Sequence, residues 1–254
     1  MTFRSLARLA LLAAPVLAQV PAVERIRGRT WSETTGMAAP DGGAVHAISQ
    51  GWLHRIDAAT GKHERVSKRT WSEVQGMTAL GPALYVVSQG WLHRVDPATG
   101  EATRVSDDVH REVNALAASE GQLYELRQGW LHRVDPATGS ATRLSDRVWR
   151  EVAGMTAADG RLYVLSQGWL YRVDPASGKD ERVSEQTYGE VAALLASSGR
   201  LWIVAQERLY RVDPATGARE RIEGRTWSEV TGACAGVDRL WIVSQEDLYR
   251  VATE

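Results

Sequence analysis

The sequence predicts an all-β fold, a six-bladed β-propeller with four-stranded blades. The chain repeats itself with a period of 39 residues, so that a glutamine, a glutamate and an arginine each recur six times. Each repeat divides into four short strands separated by turn residues, without the sustained 3.6-residue spacing of a helical repeat. Four strands repeated six times are typical of a propeller.

The three recurring positions set the register of the blades. The glutamines are Gln50, Gln89, Gln128, Gln167, Gln206 and Gln245. The glutamates are Glu33, Glu73, Glu112, Glu151, Glu190 and Glu229. The arginines are Arg55, Arg94, Arg133, Arg172, Arg211 and Arg250. We therefore predict that residues 19–254 form a single propeller domain.

The second repeat illustrates the four strands of a blade. The first, Val74–Leu80, is rich in Gly, Ala and Thr, which suits a crowded central axis. The second, 84–88, is apolar at nearly every position, as expected when both faces of a sheet are covered. The third, 91–96, leads through an Asp-Pro-Ala-Thr-Gly turn into the fourth, 103–105. Pro presets one turn dihedral there and Gly supplies the left-handed one.

The two ends of the chain predict how the ring closes. Val23–Ile26 aligns with the outermost strand of a blade, whereas the C-terminus stops after a third strand. Pairing this spare strand with the C-terminal three would complete the sixth blade and remove two exposed sheet edges.

Residues 1–18 have the pattern of a signal peptide. Arg4 and Arg8 precede the apolar run 9–17, and the residues before Gln19 suit signal-peptidase cleavage. The apolar run is shorter than the about 20 residues that a membrane span needs. We expect a secreted or periplasmic protein.

Composition and residue pattern argue against several functions. Lys and Arg total 30 against 31 Asp and Glu, for a net charge of −1, so no basic footprint indicates nucleic acid or anionic lipid. The single cysteine, Cys234, permits no intrachain disulfide and reads as a small filler of an innermost strand. Nearly identical residues from every blade offer no catalytic triad, phosphate loop or metal-ligand cluster. We therefore expect no enzyme activity, no cofactor and no metal.

The aromatic residues form two tryptophan series. The first, at the entry to each blade, is always bulky and planar, which predicts that it caps the seam between blades. Its members are Trp31, Trp71, His110, Trp149, Tyr188 and Trp227. The second lies in the turn between the second and third strands and gives way to Arg208 and Asp247 in the last two blades, so we expect it to face solvent. Its members are Trp52, Trp91, Trp130 and Trp169.

The blade entries and the turns between second and third strands should share one face of the disc. The candidate ligand-binding residues on that face are Trp52, Trp91, Trp130, Trp169, Gln50, Gln89, Gln128, Gln167, Glu33, Glu73, Glu112 and Glu151. A structural interpretation stays open for each: the turn Trp rings lie flat over a neighbouring turn, Gln and the recurring Arg serve backbone bonds and blade pairing, and Glu pairs with Arg. A third-strand position has histidine in blades one to three and tyrosine in blades four to six, which indicates packing and not metal binding. Its members are His54, His93, His132, Tyr171, Tyr210 and Tyr249.

The order Trp-x-x-Val-x-Gly, Gly-x-Leu-Tyr-Val and Gly-x-Leu-x-Arg resembles the repeats of tectonin and tachylectin-type propellers. That resemblance implies sugar binding. The run from Leu53 to Lys62 more weakly resembles repeats of PQQ-dehydrogenase-like propellers, but Arg65 and Val66 stand where the tryptophan of those repeats would follow.

The function expected from the sequence is multivalent, lectin-like carbohydrate recognition by a monomer, without nucleic acid or membrane insertion. A scaffold that binds an extracellular protein surface through the same face is the alternative. A single-site lactonase or hydrolase with one axial metal is a third possibility. If the turn tryptophan anchors the ligand, blades one to four should give about four sites. Because Glu207 and Glu246 replace glycine, we also expect a different turn shape in blades five and six.

Overall fold

The computed structural model describes residues 21–26, 28–40, 43–105 and 107–253. This part of the chain contains 24 strands and no helix, and the strands form six antiparallel sheets of four strands each. The predicted six-bladed propeller is confirmed. The predicted leader at residues 1–18 lies outside the described residues.

Strands run from the innermost to the outermost position of each blade in chain order. The first strand of the chain, β1 (Val23–Ile26), belongs to the last blade. Blade one comprises β2 (Thr34–Ala38), β3 (Ala44–Ser49), β4 (Trp52–Asp57) and β5 (His63–Arg65). Blade two comprises β6 (Val74–Leu80), β7 (Ala83–Ser88), β8 (Trp91–Val95) and β9 (Ala102–Arg104). Blade three comprises β10 (Val113–Ser119), β11 (Gln122–Arg127), β12 (Trp130–Val134) and β13 (Ala141–Arg143).

The second half of the chain repeats this arrangement. Blade four comprises β14 (Val152–Ala158), β15 (Arg161–Ser166), β16 (Trp169–Val173) and β17 (Asp180–Arg182). Blade five comprises β18 (Val191–Ser197), β19 (Arg200–Ala205), β20 (Arg208–Val212) and β21 (Arg219–Ile222). Blade six comprises β22 (Val230–Ala235), β23 (Arg239–Ser244), β24 (Asp247–Ala252) and the N-terminal β1.

The ring closes as the sequence predicts. Strand β1 pairs antiparallel with β24, with Val23 opposite Val251 and Ile26 opposite Leu248. One N-terminal and three C-terminal strands thus complete blade six, and its outer edge is filled.

The hydrophobic core lies between adjacent blades. Every residue of β7 is buried, which agrees with a strand covered on both faces. Ala38 and Ile48 of blade one pack against Trp71, Leu84 and Val86 of blade two in one apolar cluster. Because each cluster joins two blades, burial of these side chains fixes the angle between neighbouring sheets.

The predicted ends of some strands differ from the observed ones by one residue. Strand β8 ends at Val95 because Asp96 starts the turn: its Oδ1 accepts hydrogen bonds from the Ala98 N–H at 2.7 Å and the Thr99 N–H at 3.1 Å. This Asx turn is local side-chain chemistry that periodicity does not reveal. The fourth strand of blade two begins at Ala102, one residue before the prediction, and the second strand begins at Ala83.

Candidate functional site: the turn face of the disc

We call the side of the disc that carries the Gln-Gly turns and the blade entries the turn face. The two kinds of loop meet there: the N–H of Trp71, at the entry to blade two, donates to the carbonyl of Gly51, in the turn of blade one, at 2.7 Å. The same bond joins His110 to Gly90, Trp149 to Gly129, Tyr188 to Gly168, Trp227 to Glu207 and Trp31 to Glu246. The turn face is therefore tied together around the complete ring.

The recurring glutamines and glutamates share an unusual backbone conformation. All six of each have a positive φ, as at Gln50 (51°) and Glu33 (50°). Gln50 and the following Gly51 (75°) form a tight left-handed turn of the kind that suits the twist of a hairpin. The Gln50 N–H in turn faces the Glu33 carbonyl at 3.4 Å. The recurring glutamines therefore have the backbone role that was considered for them, and the recurring glutamates share it through their left-handed conformation.

Two expectations about these turns are wrong. Within the described residues none of the six glutamates forms an ion pair with Arg or Lys; Glu33, Glu73, Glu112 and Glu151, with their two counterparts, are exposed at the turn face. The expected change of turn shape in blades five and six does not occur, since Glu207 (59°) and Glu246 (63°) keep the left-handed conformation. Their carbonyls still accept the blade-to-blade hydrogen bond, which holds them in place.

The second tryptophan series, which we call the rim tryptophans, opens the third strand of blades one to four. Each ring is half-buried, in contrast to the solvent-facing rings expected from the sequence. An outer-strand arginine of the same blade lies over each ring. The distances from guanidinium carbon to ring centre are 4.4 Å for Arg65 and Trp52, 3.5 Å for Arg104 and Trp91, 3.4 Å for Arg143 and Trp130, and 4.4 Å for Arg182 and Trp169. One side of each indole is thus covered by a cation and held in a fixed orientation.

The register of the outer strands explains this cover. Arg104 lies opposite His93 in the antiparallel pair of β8 and β9, two residues from Trp91 on the same face of the sheet. Long side chains reach such diagonal neighbours. In blade six the equivalent Arg25 instead pairs with Asp247 at 2.8 Å. In blade five the equivalent Arg221 forms an ion pair with Glu223 and does not lie over a ring.

The first tryptophan series lies in the seams, as predicted. Trp31, Trp71, Trp149 and Trp227 are all at most 3% exposed, and His110 and Tyr188 are similarly buried. Five of the six members of the His/Tyr series pack edge-on against these rings; Trp71 and His93, for example, have centroids 5.4 Å apart at 89°. The expected packing role of that series is confirmed. Burial and, next, the charge of Arg29 lower the pKa of His54 to about 4, so this ring is neutral at pH 7.

The recurring arginines pair mostly with outer-strand glutamates. Arg172 contacts Glu181 at 2.5 Å and Arg211 contacts Glu220 at 2.6 Å. Arg250 donates to the carbonyl of Ala58 in blade one at 2.7 Å, across the closing seam. These contacts agree with the structural role considered for this series.

The central channel is lined by the innermost strands of all six blades. Its cavity of ≈ 320 Å³ is lined by Met, Leu, Ala and Thr side chains of the innermost strands and by Cys234. Burial raises the pKa of the Cys234 thiol to about 12, which keeps it protonated. The described residues contain no group of three or more His, Cys, Asp or Glu side chains placed to share a metal ion.

Blade three contains a buried polar cluster that sequence reasoning missed. His110 Nδ1 lies 2.8 Å from Glu125 Oε2, and both side chains are inaccessible to solvent. Arg127 lies 3.2 Å from the other oxygen of Glu125. The signal was present in the sequence, because all three departures from the repeat pattern occur in this one copy. The other copies have Trp or Tyr in place of His110, Ala, Val or Ile in place of Glu125, and Ser or Ala in place of Arg127.

Comparisons with known proteins support the fold alone. The chain aligns with a streptogramin B lyase at a TM-score of 0.66 and 11% identity, covering 91% of this chain and 97% of the lyase. It aligns with a proposed gluconolactonase at 0.68 and 18% identity, covering 91% and 92%. It aligns with PorZ, a surface component of the type-IX secretion system of Porphyromonas gingivalis, at 0.60 and 15% identity, covering 91% of this chain and 38% of PorZ. Neither a protein-family model nor a curated protein sequence matches the chain.

Proposed function

We propose that this protein is a secreted or periplasmic, non-enzymatic propeller that binds carbohydrate at several places on its turn face. One observation carries the proposal: four neighbouring blades each present a rim tryptophan, fixed by an arginine, beside an exposed glutamine. An indole provides an apolar surface for a sugar ring, and amide and guanidinium groups provide hydrogen bonds for its hydroxyls. The four exposed glutamates of the same blades add acceptors.

The rigidity of these groups favours binding. Arg104 over Trp91 restricts the indole before any ligand arrives, so less side-chain freedom is lost on binding. One shallow site would still be weak; a millimolar dissociation constant corresponds to about −4 kcal/mol. Several sites on a rigid disc can raise the avidity for a multivalent glycan by ~100-fold or more.

The central channel favours binding over catalysis as the function. Propeller enzymes of the kind considered from the sequence would place unlike polar groups on the axis. Here the axis carries Ala, Met, Leu and Thr, and the Cys234 thiol is held in its unreactive protonated form.

Export is supported by the predicted leader, which lies outside the described residues. None of the described residues belongs to a helix that could cross a lipid bilayer. PorZ, whose fold is similar, is a bacterial surface component.

The arginine–tryptophan stacks also favour a second candidate, a protein-interaction scaffold. Trp and Arg are the residues most enriched at the energetic centres of protein interfaces. The same turn face would then dock an extracellular protein.

A glycan array followed by competition tests the proposal. We expect array binding that a free monosaccharide inhibits, and loss of that binding when Trp52, Trp91, Trp130 and Trp169 are all replaced by Ala. Arg208→Ala, at the same turn position in blade five, is the matched control and should bind normally. Binding that no monosaccharide inhibits would favour the protein scaffold, and no array binding at all would contradict the lectin assignment.

A further inference from the structure

Blade three carries a pocket on its turn face. Its cavity of ≈ 500 Å³ is lined by Val109, Arg111, Arg127, Gln128, Trp130 and His132. One wall is aromatic, formed by the rim tryptophan and the third-strand histidine. The rest of the lining includes two arginines and Gln128.

An arginine occupies the corresponding region of most other seams. Arg147, at the entry to blade four, lies 4.1 Å from the ring centre of Tyr171. Arg225, at the entry to blade six, lies 3.8 Å from that of Tyr249. Arg29 and Arg69 hold the same sequence position in blades one and two, and blade three has Asp108 there. Replacement of this arginine accompanies the open space beside His132.

The two arginines of the pocket stand where most blades have serine. Arg127 corresponds to Ser49, Ser88, Ser166 and Ser244. Arg111 corresponds to Ser32, Ser72 and Ser228. Blade three has therefore gained two cations on its turn face.

The pocket holds one arginine rigidly and leaves the other available. Arg127 donates to the Val109 carbonyl at 2.9 Å and contacts the buried Glu125 at 3.2 Å. The aliphatic part of Arg111 packs against the turn of blade two. A Cβ atom added at Gly90 in that turn would lie 3.2 Å from the Cγ of Arg111. Within the described part of the chain, Arg111 is exposed and forms no ion pair. Among the described residues, the pocket lining contains two guanidinium groups and no carboxylate, and the buried Glu125 contacts only one of the two.

We propose that this pocket is the subsite for a uronic acid residue of a glycan, an inference that rests on the carbohydrate-binding function proposed above. Arg111, with Arg127 behind it, would bind the carboxylate, since guanidinium and carboxylate match in planar, two-pronged hydrogen bonding. Gln128 would bind ring hydroxyls, and the uncovered part of Trp130 would contact the apolar face of the sugar. The other rim sites, without this pair of arginines, have no such preference for an acid.

The test compares acids with their methyl esters, which keep the sugar ring and remove the charge. The probes are trigalacturonate and a hyaluronan tetrasaccharide, each titrated calorimetrically beside its methyl ester at low salt. We expect the wild type to bind at least one acid about tenfold or more tightly than its ester, which is the effect of a single charge-assisted hydrogen bond. Arg111→Ser should abolish the preference.

Matched variants distinguish binding of the acid at this subsite from a general effect of positive surface charge. Arg150 of blade four is equivalent to Arg111, but blade four has Ser166 in place of Arg127. Arg150→Ser should therefore leave the preference for the acid intact. The double variant Glu125→Val, Arg127→Ser introduces the blade-two residues together, which avoids stranding a buried carboxylate, and should also lose the preference. Circular dichroism checks that each variant is folded.

The outcomes distinguish this inference from the proposed function. Equal binding of acid and ester, an unchanged preference in Arg111→Ser, or equal loss in Arg150→Ser would overturn the uronic acid subsite. Binding of a galactose 6-sulfate probe, together with no binding of either uronic acid probe, would also overturn it. If neutral glycans bind through the rim tryptophans and neither acid is preferred, only the subsite fails. If no glycan of any kind binds, the proposed function itself fails.

Discussion

At the scale of single residues, one outer-strand arginine recurs in all six blades and its partner depends on the turn residue. It lies over a rim tryptophan in blades one to four and pairs with Asp247 in blade six. The repeat pattern located both residue types, but their contact depends on a diagonal across two strands. Repeat alignment does not report that register, so the cover of the rings could not be predicted.

The two tryptophan series should differ in their effect on stability. Trp71→Ala should lower the free energy of unfolding by about 3–5 kcal/mol, because this 3% exposed ring fills the seam between two blades. Trp91→Ala should cost about 1 kcal/mol, since its half-buried ring loses mainly the stack with Arg104. Denaturant unfolding measures both. Equal costs for the two variants would contradict the distinction between seam and rim.

His54 should make stability depend on pH. Its pKa is about 4 in the folded protein against about 6.5 in an unfolded chain, so between these values the unfolded state binds more protons. The stability that comes from keeping this ring unprotonated is fully present above pH 6.5. It is lost as the pH falls toward 4, which lowers the free energy of unfolding by about 1–3 kcal/mol. His54→Tyr, which introduces the residue of blades four to six, should reduce the decline in melting temperature between pH 7 and pH 4. An unchanged pH profile would show that this histidine is not responsible.

At the scale of elements, the hairpin between the second and third strands is constrained by its left-handed backbone and by a hydrogen bond from the next blade. The Gln-Gly sequence indicates a turn, and the structure gives it the same left-handed geometry in all six blades. The turn keeps its shape at Glu207 because the blade-to-blade hydrogen bond from Trp227, at 2.8 Å, requires the carbonyl in that place. Sequence reasoning considered the local preference of glutamate without this tertiary bond, and so predicted a change of shape.

Glu207→Gly should therefore stabilise the protein. A left-handed conformation costs an ordinary L-residue about 1–2 kcal/mol, and glycine avoids this cost. Glycine also raises the conformational entropy of the unfolded chain, which offsets part of the stabilisation. We expect a net increase of about 0.5–1 kcal/mol in the free energy of unfolding. The reverse change in blade two, Gly90→Glu, should be destabilising. If Glu207→Gly lowers the melting temperature, the turn is not strained as described.

At the scale of the whole molecule, the sequence was sufficient to predict the blade number and the ring closure. Both follow from period and register: six copies of a four-strand unit, with the spare strand Val23–Ile26 matching the missing outer strand of blade six. The pocket of blade three was not predicted, because aligning repeats emphasises what the copies share. Glu125, His110 and Arg127 depart from that shared pattern, and only the fold brings them together.

Deleting residues 19–28 tests the closure. The deletion removes β1 and leaves β24 with an unpaired edge, so we expect a large drop in melting temperature and a tendency to associate through that edge. A synthetic peptide of residues 19–28 added in trans should restore part of the stability. A truncated protein with wild-type melting would be incompatible with a ring closed by this strand.

The indole N–H resonances of the ten tryptophans provide the most direct test of the central claim, that the turn face binds glycans through its rim tryptophans. The measurement is a ¹H–¹⁵N correlation titration with the glycan that gives the strongest array signal. We predict that resonances of Trp52, Trp91, Trp130 and Trp169 shift saturably, whereas those of the buried Trp31, Trp71, Trp149, Trp202, Trp227 and Trp241 stay in place. Saturable binding that leaves all four rim resonances unmoved would contradict the account.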